Sequence, residues 1–169
     1  MKKLMIMAVA AMALTLAACS SKGGSDYQTY NNPKYGYSIE VPSWMIQHDP
    51  QIGAEEGTVF MNNPDNMFDI NRIDLYASNS GYVFDPWTPE NVEKRFVSET
   101  EEMSDLVSQE CKDQEFTYTR KSDDGHITIH KAIFKDMTMA TVTIDYDADM
   151  ADKLGGAVAD HILSSLKIK

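Results

Sequence analysis

The feature that most constrains the fold is a tight turn between two alternating segments. Residues 116–121 and 127–133 largely alternate between apolar and polar side chains, and Asp124-Gly125 lies between them. A period of two is typical of a half-buried β-strand, and Asp-Gly between two such segments is the strongest short-range signal for a hairpin. The chain is therefore expected to contain antiparallel strands joined by tight turns.

Further segments carry the same strand signal. In residues 35–41 the apolar positions share one face, and residues 27–30 are predicted to pair with this strand as a hairpin arm. Pro42 ends the strand because it lacks the N–H donor of the ladder, and Trp44 after it is expected to pack into the core. More strands are predicted at residues 57–61, 68–77 and 139–146.

The clearest helix signal begins at Trp87. Thr88 is a good N-cap and Pro89 suits the first helical position, while Trp87 and Val92 occupy the positions of a hydrophobic staple. This helix is predicted to end near Ser108. Its apolar face is formed by Val92, Phe96, Met103 and Val107.

A second helix is predicted near the C-terminus, where apolar residues recur every four positions. They are Met150, Leu154, Val158 and Ile162. Gly155-Gly156 interrupts this helix, and close approach of the helix to the sheet is the simplest reason. The expected fold class is α+β, a mostly antiparallel β-sheet flanked by α-helices. The long helices are expected on opposite faces, or at the two ends of one face.

The N-terminal segment is predicted to be a targeting signal. Lysines precede an uncharged run at residues 4–18, which is shorter than the roughly 20 residues of a membrane-spanning helix. The run ends in Leu16-Ala17-Ala18-Cys19, which resembles the lipobox of bacterial lipoprotein signal peptides. The resemblance implies cleavage before Cys19 and attachment of a diacylglycerol to its thiol. Plain secretion is the alternative reading of this layout.

The lipobox also implies an organisation and a location. A signal peptide is expected at residues 1–18, a lipidated cysteine with a flexible tether at 19–26, and a globular domain at 27–169. Ser20 stands where an aspartate retains some lipoproteins at the inner membrane, so in a bacterial host with two membranes the outer membrane is favoured over the inner one. The expected partners are the membrane, bound through the N-terminal lipid, and another envelope protein.

Charge and cysteine content limit the function classes. The formal net charge is −11, and contact with nucleic acid needs a basic face, so no nucleic-acid partner is expected. With Cys19 lipidated, Cys111 has no partner for a disulfide. It is interpreted as a half-buried structural thiol near a helix end. A catalytic thiol would need a histidine such as His126 or His130, which lie on a different predicted element.

Asp145, Asp147 and Asp149 form an acidic cluster that invites a calcium hypothesis, since hard cations prefer carboxylate oxygens. A calcium loop of the EF-hand type needs glycine at its sixth position and glutamate at its twelfth. Met150 and Gly156 stand there instead. The favoured interpretation is a strand end followed by acidic residues at a helix N-terminus. The three aspartates remain weak candidates for a metal, and no cofactor is predicted.

Two other groups of residues invite a functional reading. Tyr82, Phe84 and Trp87 lie close together in one loop. These aromatic residues either bind a partner protein or cover the hydrophobic core. His126 and His130 are interpreted as exposed hairpin histidines. They are four residues apart on a strand, which is roughly 13 Å, so the two side chains cannot share one metal.

No sequence motif of a hydrolase, zinc protease or phosphate-binding loop is present, so no catalytic residue is predicted.

Short motifs at both ends of the domain resemble PsbP-like and Mog1-like domains. Tyr35-Gly36-Tyr37 is followed by a proline and Trp44, and residues 160–166 match the closing helix. The resemblance implies an antiparallel sheet between helices, the Mog1/PsbP-like α/β/α sandwich. It also implies a non-catalytic binding, assembly or chaperone-like module without a cofactor. A calcium-dependent envelope protein and an enzyme with a dispersed site are the alternatives.

Overall fold

The computed structural model describes residues 26–48, 56–63, 65–66, 69–79 and 86–169. The strands are β1 Tyr27–Asn32, β2 Tyr37–Pro42, β3 Ile46–His48, β4 Gly57–Met61, β5 Arg72–Asn79, β6 Leu106–Lys112, β7 Glu115–Lys121, β8 Ile127–Lys135, β9 Thr138–Tyr146 and β10 Lys167–Ile168. The helices are α1 Pro89–Thr100, α2 Ala151–Leu154 and α3 Gly156–Ser165, and a 3-10 turn at Ala148–Met150 precedes α2. Within these described ranges no helix has the length and apolar content needed to cross a bilayer.

The strands form two antiparallel sheets. The smaller sheet has the order β1-β2-β10, and the larger has the order β3-β4-β5-β9-β8-β7-β6. The predicted hairpin of β7 and β8 is present, with Gly125 in the left-handed region at a φ of 91°. The predicted arm β1 pairs with β2 along its whole length. The expected α+β class with a mostly antiparallel sheet is confirmed.

Helices lie on both sides of the seven-stranded sheet. One side, called the core face, packs against the small sheet and against α2 and α3, and it contains buried residues such as Leu75 and Ile144. The other side, called the α1 face, packs Phe116 and Phe134 against Val92 of α1. Neighbouring residues of a strand point to opposite faces. The seven-stranded sheet therefore forms the middle layer of a three-layer arrangement, which agrees with the expectation of helices on opposite faces.

The first helix begins where predicted but ends early. The Thr88 hydroxyl accepts a hydrogen bond from the Asn91 N–H at 3.3 Å, and Pro89 is the first helical residue. The helix stops at Thr100, so the predicted end near Ser108 is wrong. Residues 106–112 instead form β6, because their backbone groups pair with β7 along a ladder that is interrupted by one register shift between Leu106 and Ser108. Cys111 therefore lies within an edge strand and not near a helix end.

The C-terminal helix is broken at its glycines. Gly156 has a φ of 52°, which favours glycine. A β-carbon on Gly155 would lie 2.9 Å from the Tyr146 hydroxyl of β9 and 2.7 Å from the carbonyl oxygen of Ala151. The predicted close approach to the sheet is confirmed, whereas a continuous helix is wrong. The prediction that Trp44 packs into the core is also wrong, because 40% of this residue is exposed.

Candidate binding face

The residues proposed from the sequence for partner binding are only partly described. Tyr82, Phe84 and the lipidation candidate Cys19 lie outside the described residues. Trp87 is half-buried, and its ring centroid lies 4.6 Å from that of Phe134 on the sheet. Trp87 therefore covers part of the hydrophobic core next to the N-cap of α1, and little of its ring is accessible to a partner.

A more accessible set of side chains lies on the α1 face beyond the area covered by α1, which contacts β6 and β7. The strand register places Asp74 between Val59 of β4 and Thr143 of β9. Arg72 and Tyr76 flank Asp74 on the same face of β5, since side chains two residues apart point the same way. Tyr76 is 43% exposed. We call these five residues, Val59, Arg72, Asp74, Tyr76 and Thr143, the open face.

An ion pair lies at the centre of the open face. Arg72 Nε is 2.9 Å from Asp74 Oδ2, and both side chains are partly exposed. Burial raises the pKa of Asp74, Arg72 opposes this rise, and the nearby carboxylate of Asp145 adds to it. The positive partner therefore does not fully compensate for the partial removal of Asp74 from water.

His130 lies beside the open face, under α1. Its Nδ1 is 2.9 Å from the Thr143 hydroxyl, and its ring stacks on Tyr118 with centroids 4.8 Å apart. Only 11% of the His130 side chain and 25% of the His126 side chain are exposed, so the expectation of two exposed histidines is wrong. Burial, with a smaller contribution from Arg95, lowers the pKa of His130 to about 4, whereas Asp145 opposes the shift. The imidazole is therefore neutral near pH 7.

The other histidine lies close to two of the three candidate aspartates. His126 Nε2 is 3.4 Å from Asp145 Oδ1, and His126 Nδ1 is 3.5 Å from Asp147 Oδ1. The Thr128 hydroxyl donates to Asp145 at 2.6 Å. Asp147 precedes the 3-10 turn and Asp149 lies in it, as the helix-start interpretation predicts. In the described part of the chain, no three or more histidine, cysteine or acidic side chains are arranged as metal ligands.

Cys111 lacks the surroundings of a nucleophile. It is half-buried on β6 and packs at the margin of the Phe116 cluster beneath α1. Burial raises the pKa of the thiol, and the negative charge of Glu93 raises it further. A reactive cysteine needs a lowered pKa, since the thiolate is the attacking form. The structural interpretation of this thiol is therefore favoured over catalysis.

The arrangement as a whole is suited to binding rather than to covalent chemistry. The open face presents an exposed aromatic ring, an apolar side chain and a charged pair on strands in the middle of a sheet. The sequence already contained part of this signal, because Arg72, Asp74 and Tyr76 alternate with apolar residues in the predicted strand. Their exposure was missed, since it depends on which half of the sheet α1 covers.

Comparison with known proteins shows the fold. The chain is similar to the solution structure of cyanobacterial PsbP (CyanoP) from Synechocystis, with a TM-score of 0.58 and 20% identity over 91% of this chain and 99% of that chain. It is also similar to a crystal structure from Bacteroides thetaiotaomicron, with a TM-score of 0.54 and 14% identity over 86% of this chain and 49% of that chain. The described chain thus has a PsbP-like fold, as the sequence resemblance implies.

A third similar structure is the Ran-binding protein Mog1p from Saccharomyces cerevisiae. The TM-score is 0.46 and the identity 10%, over 86% of this chain and 96% of that chain. No protein-family model and no curated protein sequence matches the chain significantly. Because a fold hosts many functions, the function must be inferred from the site.

Proposed function

We propose that the protein is a lipid-anchored protein of the bacterial envelope that acts as a non-catalytic binding or assembly module. It holds another envelope protein on the open face. The observation that carries this proposal is the exposed ring of Tyr76 beside the Arg72–Asp74 ion pair, in the middle of a sheet. Tyrosine and arginine are enriched among the residues that dominate protein interfaces.

The energetics of Asp74 support a role beyond folding. A partly exposed ion pair adds little to stability, and the raised pKa of Asp74 means that its ionised form is disfavoured in the folded chain. Perturbed groups of this kind are concentrated at functional sites. A donor from a partner protein would add a hydrogen bond that stabilises the ionised form of Asp74.

The membrane anchor is the second part of the proposal. It is supported by the lipobox residues that end in Cys19. More than one acyl chain on this residue would give stable attachment, since a single chain is only marginally sufficient. The serine at position 20 supports the outer membrane over the inner one. Calcium binding is not part of the proposal, because Asp147 and Asp149 are accounted for as acidic residues at the start of a helical turn.

Site-specific photo-cross-linking in the native host tests the binding face. A photoreactive phenylalanine derivative replaces Tyr76 in one chain and Val97 in a control chain. Val97 is a suitable control because it is 48% exposed and lies on α1. We expect a discrete cross-linked protein from position 76 and none from position 97. Equal products from both positions, or none from position 76, contradict the proposed binding face.

Cell fractionation tests the anchor. The substitution Cys19→Ala removes the proposed lipid acceptor, so the protein is expected to leave the membrane fraction. Cys111→Ala is the matched control, because Cys111 is the other cysteine of the chain. That variant should stay in the membrane fraction. A Cys19→Ala variant that remains there as well would show that the lipid does not hold the protein.

A further inference from the structure

Three large apolar side chains are exposed at one end of strands β3, β4 and β5. Trp44 is 40% exposed, Ile46 51% and Ile70 43%. Ile46 pairs with Met61, and Met61 pairs with Arg72. Trp44 lies two residues before Ile46, and Ile70 lies two residues before Arg72, so all three residues belong to the same end of the strands. We call Trp44, Ile46 and Ile70 the end patch.

The end patch adjoins the point at which the described domain begins. The N–H of Ser43 donates to the carbonyl oxygen of Asp26 at 2.9 Å. The Gln28 side chain donates to the carbonyl oxygen of Met45 at 2.7 Å. These bonds hold the start of β1 against the segment that carries Trp44 and Ile46.

The distance to the proposed lipid is limited by the length of the chain. Only residues 20–25 separate Cys19 from Asp26. Even a fully extended chain of this length spans no more than about 25 Å, and a coil spans roughly 15 Å. If Cys19 is held at a bilayer surface, the end patch is confined to a narrow zone next to that surface.

The chemistry of the end patch fits the interface between water and lipid. Tryptophan is enriched at this interface because its ring is apolar and its N–H is polar. The Lys153 ammonium lies 5.9 Å from the centroid of the Trp44 ring, and a lysine of this kind can reach lipid phosphate with its end while its stem stays in apolar surroundings. The net charge of −11 opposes approach to anionic lipids. A zwitterionic surface is therefore the better match.

We propose that Trp44, Ile46 and Ile70, which lie at the same end of strands β3, β4 and β5, form a second membrane contact that docks on a zwitterionic bilayer surface. This inference rests on the proposed lipid anchor at Cys19. The acyl chains hold the protein at the membrane, and the end patch fixes the orientation of the domain on it. The end patch shares no side chain with the open face, and Met61 separates Ile46 from Arg72 on the same side of the sheet.

Tryptophan fluorescence of the anchored protein tests this inference. The full chain is purified with its native N-terminus and reconstituted into vesicles of phosphatidylcholine and phosphatidylethanolamine, with or without brominated acyl chains. The chain contains two tryptophans, so the wild type is compared with Trp44→Phe. This exposed position is expected to tolerate the change. The difference between the two proteins reports on Trp44 alone.

The expected result is a shift of the Trp44 emission to shorter wavelength and its quenching by brominated lipid. Both effects should weaken when phosphatidylglycerol replaces phosphatidylethanolamine, or when Ile46 and Ile70 are changed to serine.

Flotation of the same samples reports separately on the anchor. If the chain floats with the vesicles but wild type and Trp44→Phe are quenched equally, the end patch does not dock on lipid and the anchor stands. If the chain does not float, the anchor fails and this inference fails with it.

Discussion

Strand β5 contributes to the core face and to the open face of the same sheet, and its residues differ sharply between the two. On the core face, Ile73, Leu75 and Ala77 are buried against the small sheet and the C-terminal helices. On the opposite face, Asp74 and Tyr76 alternate with them and remain accessible. Burial of a large aliphatic side chain contributes roughly 1.5–3 kcal/mol, so stability is concentrated on one side of the strand. The other side is free to serve binding.

The α1 face itself is divided into two regions. Under α1, Phe116 and Phe134 are buried and His130 is almost completely excluded from water. Beyond α1, the strands that carry Tyr76 present a mixed polar and apolar surface. A single helix of modest length thus separates a second, smaller core from a candidate binding surface on one continuous sheet.

The largest expected effect separates the two sides of β5. Leu75→Ala should lower the free energy of unfolding by about 2–5 kcal/mol, because a buried side chain is removed and a cavity is left. Tyr76→Ala, at the adjacent exposed position, should change it by less than about 1 kcal/mol. Urea unfolding of the two variants measures both values. Similar losses for the two substitutions would contradict the division of β5 into a stabilising side and a binding side.

The next effect concerns the region under α1 and depends on pH. The pKa of His130 is lowered from 6.5 to about 4, so between these values the unfolded chain binds more protons than the folded chain. The contribution of His130 to the free energy of unfolding is therefore fully present above pH 6.5 and is lost as the pH falls toward 4. The loss between pH 7 and pH 5 should be roughly 2 kcal/mol.

His130→Gln is the matched variant for this measurement. Glutamine retains an amide that can bond the Thr143 hydroxyl, but it does not titrate. Carboxylates of the protein change charge in both chains, so the difference between the two urea-unfolding profiles isolates the histidine. Parallel profiles between pH 7 and pH 5 would mean that His130 is not held in the dry environment that the geometry indicates.

A smaller effect is expected at the start of α1. Thr88→Ala removes the hydroxyl that accepts the Asn91 N–H, which should lower the free energy of unfolding by about 1 kcal/mol. Thr88→Ser keeps the acceptor and should stay close to the wild type. Thermal unfolding compares the three proteins. Cross-linking from position 76 should be unchanged in all of them, because α1 covers a different part of the sheet; a loss in Thr88→Ala would link the helix to the binding surface.

Much of the core could be predicted from the sequence because it depends on local periodicity. The alternation of Tyr37, Ile39 and Val41 identified a strand and its buried side, and all three are fully buried. Thr88 and Pro89 identified the start of α1 for an equally local reason. The end of α1 could not be read in this way. Met103 and Val107 continue the helical spacing, but long-range pairing of β6 with β7 determines the structure there.

The candidate site was harder to predict than the core. Alternation showed that Asp74 and Tyr76 share a face, but their accessibility depends on the area that a distant helix covers. Trp44 was expected in the core because it follows the strand that Pro42 ends, although nothing in its local sequence determines its burial. Tyr82 and Phe84 remain candidates from the sequence, since they lie outside the described residues.

The smallest expected effect on stability tests the open face most directly. Burial raises the pKa of Asp74, so the protonated form is favoured in the folded chain, and the corresponding contribution to stability is lost as the pH rises through that pKa. Asp74→Asn resembles the protonated form at every pH. At pH 7 its free energy of unfolding should therefore equal or slightly exceed that of the wild type, by no more than about 0.5 kcal/mol, even though Arg72 loses its partner. The difference should disappear in acid, where the wild-type carboxyl is also neutral.

The same substitution should strongly reduce cross-linking from position 76, because a partner's donors meet a neutral amide in place of a carboxylate. A clear loss of stability at pH 7 with unchanged cross-linking would make Asp74 a structural residue of β5 and leave Tyr76 without its proposed charged neighbour in binding.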